Sequence, residues 1–187
     1  MQEDIQKAIE VLKAGGIILY PTDTIWGIGC DATNEEAVKK IYELKQRNDS
    51  KSMIILMDNP AKLQTYVHEV PDIAWDLIEL TDTPLTIIFD GAKNLASNLV
   101  AEDGSIGIRI TDELFSRELC KRFNKPIVST SANISGEPSP NTFTKISDSI
   151  KNGVDYVVSY RKKENKPAKP SGILKLGKDG TIKIIRK

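Results

Sequence analysis

The sequence predicts an α/β protein built on a mixed sheet, and two observations carry the prediction. Short apolar runs bounded by Gly, Pro or Asp (17–20, 53–57, 84–89 and 126–130) suit buried strands. Segments with helical apolar spacing recur between them, and the two kinds intermix along all 187 residues. No repeat, linker or low-complexity tract interrupts the pattern, so residues 1–187 read as one domain.

In chain order, residues 4–14 place Ile5, Ile9 and Leu12 on one helical face, and Gly15-Gly16 stops the helix. Ile17 to Tyr20 is a strand, ended by the polar Pro21-Thr22-Asp23-Thr24. Ile25 to Gly29 follows, apolar but punctuated by glycines that let backbone or ligand approach. Ala37, Val38, Ile41, Tyr42 and Leu44 recur at helical spacing behind a Thr33-x-x-Glu36 capping box. Met53 to Met57 is a strand. Asn59-Pro60 and Pro71-Asp72 each start a helix, the second running to about Leu80. Pro84 to Phe89 is a strand, 92–104 is irregular, and Ser105 to Ile110 alternates with period two. Asp112 is expected to cap a helix carrying Leu114, Phe115, Leu119 and Phe123. Pro126 to Thr130 is a strand that runs into a polar loop ending near Pro140. Thr142 is expected to cap a helix to about Ile150, followed by a strand at Tyr156 to Ser159. Arg161 to Pro170 reads as an exposed, mobile basic loop. Gly172 to Leu176 and Thr181 to Ile185 pair as a hairpin.

Twenty-six basic and 26 acidic residues cancel, so bulk charge predicts no nucleic-acid or membrane partner, and any basic site must come from local clustering. The acidic, amphipathic N-terminus is not a signal peptide, and no apolar run reaches the ~20 residues that span a bilayer. Cys30 and Cys120 read as reduced thiols of a cytoplasmic protein. The single histidine, His68, reads as solvated surface, and no Cys/His cluster suggests zinc.

Four segments put polar groups at strand ends: Pro21–Thr24, Lys45–Lys51, Ser105–Arg109 and Ser129–Ser139. Ligands of open α/β sheets sit where such loops converge. Cations and hydroxyls without histidine, cysteine motif or close carboxylate pair cannot run a hydrolase triad, but they suit a polyanion. Neither a P-loop nor a dinucleotide-binding glycine motif is present. Taken singly, Lys45 and Arg47 also suit a helix C-terminus, Thr22 to Thr24 a turn, and Trp26 and Tyr42 the core. Arg109 is different: a charge inside an apolar strand calls for an anionic partner or ligand. The residues by themselves reach an anion or nucleotide site in an α/β domain.

Pro21-Thr22-Asp23-Thr24-Ile25-Trp26-Gly27, Lys45-Gln46-Arg47 and Ser131-Ala132-Asn133-Ile134-Ser135-Gly136, in this order and spacing, resemble the YrdC/TsaC family, the threonylcarbamoyl-AMP synthases. The resemblance runs from about Gly15 to the terminal hairpin. It implies a YrdC-like twisted mixed parallel/antiparallel sheet flanked by helices around a concave basic cleft. It implies the reaction of ATP, L-threonine and bicarbonate to threonylcarbamoyl-AMP and pyrophosphate, with Mg²⁺ carried by the triphosphate. The product serves tRNA threonylcarbamoyladenosine formation with a TsaD-type complex (TsaB and TsaE in bacteria). Lys45, Arg47, Ser131 and Asn133 match the K-x-R and S-x-N tetrad at the phosphates and adenylate. Lys51, Ser105, Ser139 and Arg186 match further nucleotide positions. Thr24 and Arg109 match the threonine site, with Ser129 and Ser171 beside it.

The chain departs from the family pattern at Trp26, where tyrosine is usual, and at Asn48, where proline is usual. It departs again at Asp82-Thr83-Pro84-Leu85-Thr86, which stands for Pro-Gly-Pro-x-Thr, and at Gly172 of Ser171-Gly172-Ile173. It keeps both K-x-R and S-x-N, whereas a YciO-like branch lacks the second. The alternative is a non-catalytic factor of the same fold that binds tRNA or double-stranded RNA through its basic face and Arg161-Lys162-Lys163.

Overall fold

The fold is that of a computed structural model, which describes residues 1–47 and 53–187. Helix α1 (Gln2–Lys13) leads into β1 (Ile18–Tyr20), β2 (Gly27–Gly29) and α2 (Glu35–Lys45). Then come β3 (Ile54–Met57), a 3₁₀ turn (Pro60–Lys62), α3 (Leu63–Tyr66), α4 (Ile73–Leu80), β4 (Leu85–Phe89) and β5 (Ile106–Ile110). Helix α5 (Leu114–Phe123), β6 (Ile127–Ser131), a 3₁₀ turn (Phe143–Lys145), α6 (Asp148–Gly153), β7 (Tyr156–Val157), β8 (Gly172–Leu176) and β9 (Ile182–Arg186) complete the described chain.

Among the described residues, nine strands form one sheet in the order β7-β1-β2-β6-β3-β5-β4-β8-β9. The β1–β7, β3–β5 and β4–β8 pairs are parallel and the others antiparallel. Both faces of the central strands are covered, which is why those strands read as apolar runs. On one face α1 and α5 bury Ile5, Leu12, Phe115 and Leu119 against Ile18, Tyr20, Leu56 and Ile127. On the other, α2, α3, α4 and α6 bury Val38, Ile41, Leu63, Ala74 and Ile150 against Ile28, Ile55, Ile87 and Ile108. The terminal hairpin forms as expected, but its outer strand β9 is exposed at every residue.

Several local expectations are corrected. The Ile25–Gly29 run contains a strand, β2, lodged between β1 and β6. Its glycines make that fit possible: a Cβ on Gly29 would lie 2.6 Å from the Tyr20 ring and 2.7 Å from Val128 O. Helix α2 is capped by Asn34, whose side chain accepts from Ala37 N, and not by Thr33. Thr33 is diverted to Asp31, to which both its amide and its hydroxyl donate. Glu113 rather than Asp112 caps α5, accepting from Ser116 N at 2.7 Å. The helix expected from Thr142 to Ile150 is broken at Ile146, whose backbone is extended, leaving a 3₁₀ turn and the short α6.

Candidate functional site

The K-x-R element owes its shape to the end of α2. Lys45 is the last helical residue, Gln46 adopts a left-handed conformation (φ 50°), and Arg47 N returns to Tyr42 O at 2.9 Å. This closed C-terminal turn ends the helix between the two cations and fixes where the chain carries Arg47. Lys45 is buried, 1% exposed. Its ammonium donates to Ser131 O, to Asn133 O at 2.7 Å and to Asn133 Oδ1 at 3.4 Å. Burial, with help from the Arg47 charge, pushes its pKa down to about 8. Burial also opposes the charge of half-buried Arg47. Asn133 is equally committed to its own loop, donating through Nδ2 to Ile134 O (3.1 Å) and Glu137 O (2.7 Å). Lys45 and Asn133 therefore form a cross-brace that holds the S-x-N loop against α2.

In front of that brace is a cavity of about 190 Å³ lined by Thr24, Arg47, Arg109, Ser129, Ser131, Ser139, Ser171 and Arg186. Trp26, Gly27, Met53, Ile54, Thr86 and Pro170 are also in its wall. Four distant parts of the chain thus meet as expected, and β2, β3, β4, β5, β6, β8 and β9 supply the frame. Ser105 does not line this cavity; its hydroxyl donates to Asp103, which also receives Lys175 at 2.8 Å. Lys51 and Asn48 lie outside the described residues.

Arg109 on β5 is 4% exposed. Its Nη2 lies 3.0 Å from Asp23 Oδ1 and donates to Thr24 Oγ1 at 3.2 Å. Asp23 is thus the anionic partner that an arginine in an apolar strand demands, presented from the turn at residues 22–24. Burial pushes the Asp23 carboxyl upward, against the opposing pull of Arg109. The pairing is incomplete: Arg109 Nε and Asp23 Oδ1 are buried without a hydrogen-bond partner. A buried donor left over beside a cavity is a ready position for an acceptor on a ligand. The turn is fixed by Thr22, whose hydroxyl receives Thr24 N (3.0 Å) and donates to Ile25 O (2.8 Å).

Arg161 is a further residue the sequence did not single out for this role. It donates to Thr22 O at 3.0 Å and pairs with Glu113 (3.2 Å) and Glu164 (2.8 Å). The start of the 161–170 segment is therefore anchored to the turn that carries Thr24, while most of the rest of the segment is exposed, as expected. Among the described residues no three Asp, Glu, His or Cys side chains gather to hold a metal ion. None of the described helices is long and apolar enough to cross a membrane.

Comparison with known proteins agrees with this geometry. The sequence profile of the Sua5/YciO/YrdC family, described as "Telomere recombination", matches residues 10–187. The chain is 37% identical over 139 residues to the threonylcarbamoyl-AMP synthase of Pseudoalteromonas translucida, covering 73% of this chain and 74% of that protein. It is 38% identical over 188 residues to a Methanocaldococcus jannaschii relative, covering 98% of this chain and 87% of the other. Among solved structures it resembles E. coli YciO (TM-score 0.86, 25% identity, 100% of this chain and 90% of that one). It also resembles P. abyssi Sua5 complexed with L-threonine (TM-score 0.82, 24% identity, 92% of this chain). The chain spans 50% of that Sua5 chain, and the likeness there is one of fold. Profile, relatives and sheet agree: the chain belongs to the Sua5/YciO/YrdC family.

Proposed function

We propose that the protein is an L-threonylcarbamoyladenylate synthase, converting L-threonine, bicarbonate and ATP to threonylcarbamoyl-AMP and pyrophosphate. The observation that carries this reading is the unpartnered Nε of Arg109 beside Thr24, in the same cavity as Arg47 and Ser131. A guanidinium with a spare donor suits a carboxylate, and the neighbouring hydroxyl suits the substrate's own hydroxyl. At 190 Å³ the cavity is smaller than the ~300–1,000 Å³ of whole-ligand pockets. It suits the amino acid and the reacting phosphate, with the nucleoside extending past the rim at Ser139 and Arg186.

In this reading Arg109 and Thr24, with Ser129 and Ser171, orient threonine so that its amine meets bicarbonate or CO₂. A carbamate oxygen then attacks the α-phosphorus as its bond to the β-phosphate oxygen breaks and pyrophosphate leaves. Arg47 and Ser131 face the phosphates, with Lys51 and Arg186 further along the nucleotide. Lys45 supplies fixed positive charge from behind the wall, and Asn133 keeps it there, so the field is preorganised before charge develops. Mg²⁺ would arrive on the triphosphate and screen its charge; among the described residues the cavity wall offers it hydroxyls and cations but no carboxylate. The product would pass to a TsaD-type complex for tRNA modification in the cytoplasm. The RNA-binding alternative loses part of its motive, because Arg161 is already paired with two carboxylates.

The test is pyrophosphate release from ATP with magnesium and bicarbonate, with and without L-threonine. Threonine-dependent release, with serine a much poorer substitute, is expected. ATP binding without release would instead place the chain functionally with the YciO-like branch.

A further inference from the structure

The protein holds a second and much larger cavity, of about 800 Å³, on the opposite side of the sheet from the site just described. Strand alternation separates the two. Thr86 and Arg109 point to the first cavity's side, while Leu85, Ile87, Phe89, Ile108 and Ile110 floor the second. Ile78 of α4 forms a wall, and the mouth opens where β5 ends and β4 begins. An apolar floor in a concavity of this size matches small-molecule pockets, which run to ~300–1,000 Å³.

The mouth decides the chemistry. Asp23, Asp82, Asp112, Glu113 and Glu164 surround it, against Arg161 and Lys166. Arg161 is consumed by Glu113 and Glu164, and Asp23 by Arg109. Exposed Asp82 and Asp112 remain at the lip, outnumbering exposed Lys166; Asp112 has only a loose 3.8 Å contact with Arg117. Phosphates and carboxylates are repelled from such an entrance, so neither nucleotide nor an acidic ligand belongs there.

We infer that this cavity is a second ligand site, taking a compact apolar molecule that bears a protonated amine. The apolar body lies on β4 and β5 and the ammonium sits at the lip between Asp82 and Asp112. The site shares a wall with the first: Asp23 lines the second cavity while its carboxylate contacts Arg109 in the first, and Arg161 holds Thr22 between them.

The probe is 2-phenylethylammonium chloride, titrated into the intact protein and followed by amide chemical shifts, with 2-phenylethanol and 3-phenylpropionate as matched neutral and anionic controls. Saturable shifts centred on Ile78, Leu85 and Ile110 are expected in the millimolar range. Each control should bind at least about fivefold more weakly, and Asp82→Asn/Asp112→Asn should weaken the amine by about threefold, as suits solvent-exposed charges. Thr83→Trp on the exposed rim, and independently Ile110→Trp in the floor, should abolish the shifts. Equal binding of the anion, shifts centred on 129–133, saturation unaffected by Thr83→Trp, or no saturable shift would each overturn the inference.

Discussion

Lys45 is the residue on which the site's electrostatics turn. It is a buried ammonium whose acceptors are carbonyl oxygens, so its charge is held by dipoles rather than cancelled by a carboxylate. Unfolded lysine titrates near ~10.4, and Lys45 folded near about 8. Between those values the unfolded chain binds a proton the folded chain lacks, so this group's contribution to stability rises with pH there. Activity moves the other way, because the cation is lost above pH 8. The expected outcome is a pyrophosphate-release rate that declines through this range while the melting temperature of the wild type gains on that of Lys45→Met. Arg47→Ala removes a cavity cation, and charge-assisted bonds are worth ~1.5–3 kcal/mol. Turnover per bound nucleotide should fall by about 10- to 100-fold with the melting temperature within a few degrees of wild type; a collapsed melt would mean Arg47 is structural. The need for a partner at Arg109 was legible, because a charge in an apolar strand requires one. That Lys45 stands behind the wall was not legible, because its two shorter bonds go to main-chain oxygens, which every residue carries.

At the scale of elements, the turn that ends α2 and the narrow strand β2 set the geometry. Gln46 is left-handed, which costs a β-branched residue most. Gln46→Val should lose about 1–3 kcal/mol in urea unfolding, while Gln46→Gly should lose nothing or gain slightly. Gly29→Ala drives a methyl between Tyr20 and Val128 O, and should cost more than Gly107→Ala, whose nearest neighbour is the Ile54 methyl at 2.8 Å. Overpacking of this kind costs ~1–3 kcal/mol, readable in the same unfolding experiment. Long apolar runs and strong helical periodicities were legible as elements. β2 was not, because three residues with two glycines carry no strand propensity and are held only by β1 and β6. The caps at Asn34 and Glu113 were displaced by one residue for a similar reason. Neighbouring Thr33 and Asp112 are themselves preferred capping types, but Thr33 is engaged by Asp31, and Glu113 is the residue held by Arg161.

For the whole molecule, one sheet separates two cavities of contrasting character: a small one rich in arginine and hydroxyls, and a large apolar one with an acidic mouth. Zero formal charge hides this polarity, so bulk composition excluded a basic exterior without revealing a basic interior. The second cavity was not legible at all, since its floor residues read simply as core. The strand order has a consequence for how the protein is made. β1 is complete by Tyr20 but lies between β2 and β7, and β2 waits for β6. A ribosome must therefore deliver the chain as far as Val157 before the first strand has both neighbours, and as far as Leu176 before β4 has β8. A chain ending at Asp155 should remain protease-sensitive and prone to aggregation, which limited proteolysis of truncated and full-length chains would show. During synthesis, the N-terminal strands spend most of translation as unpaired edges, and the nascent protein is a natural client for chaperones that shield such edges.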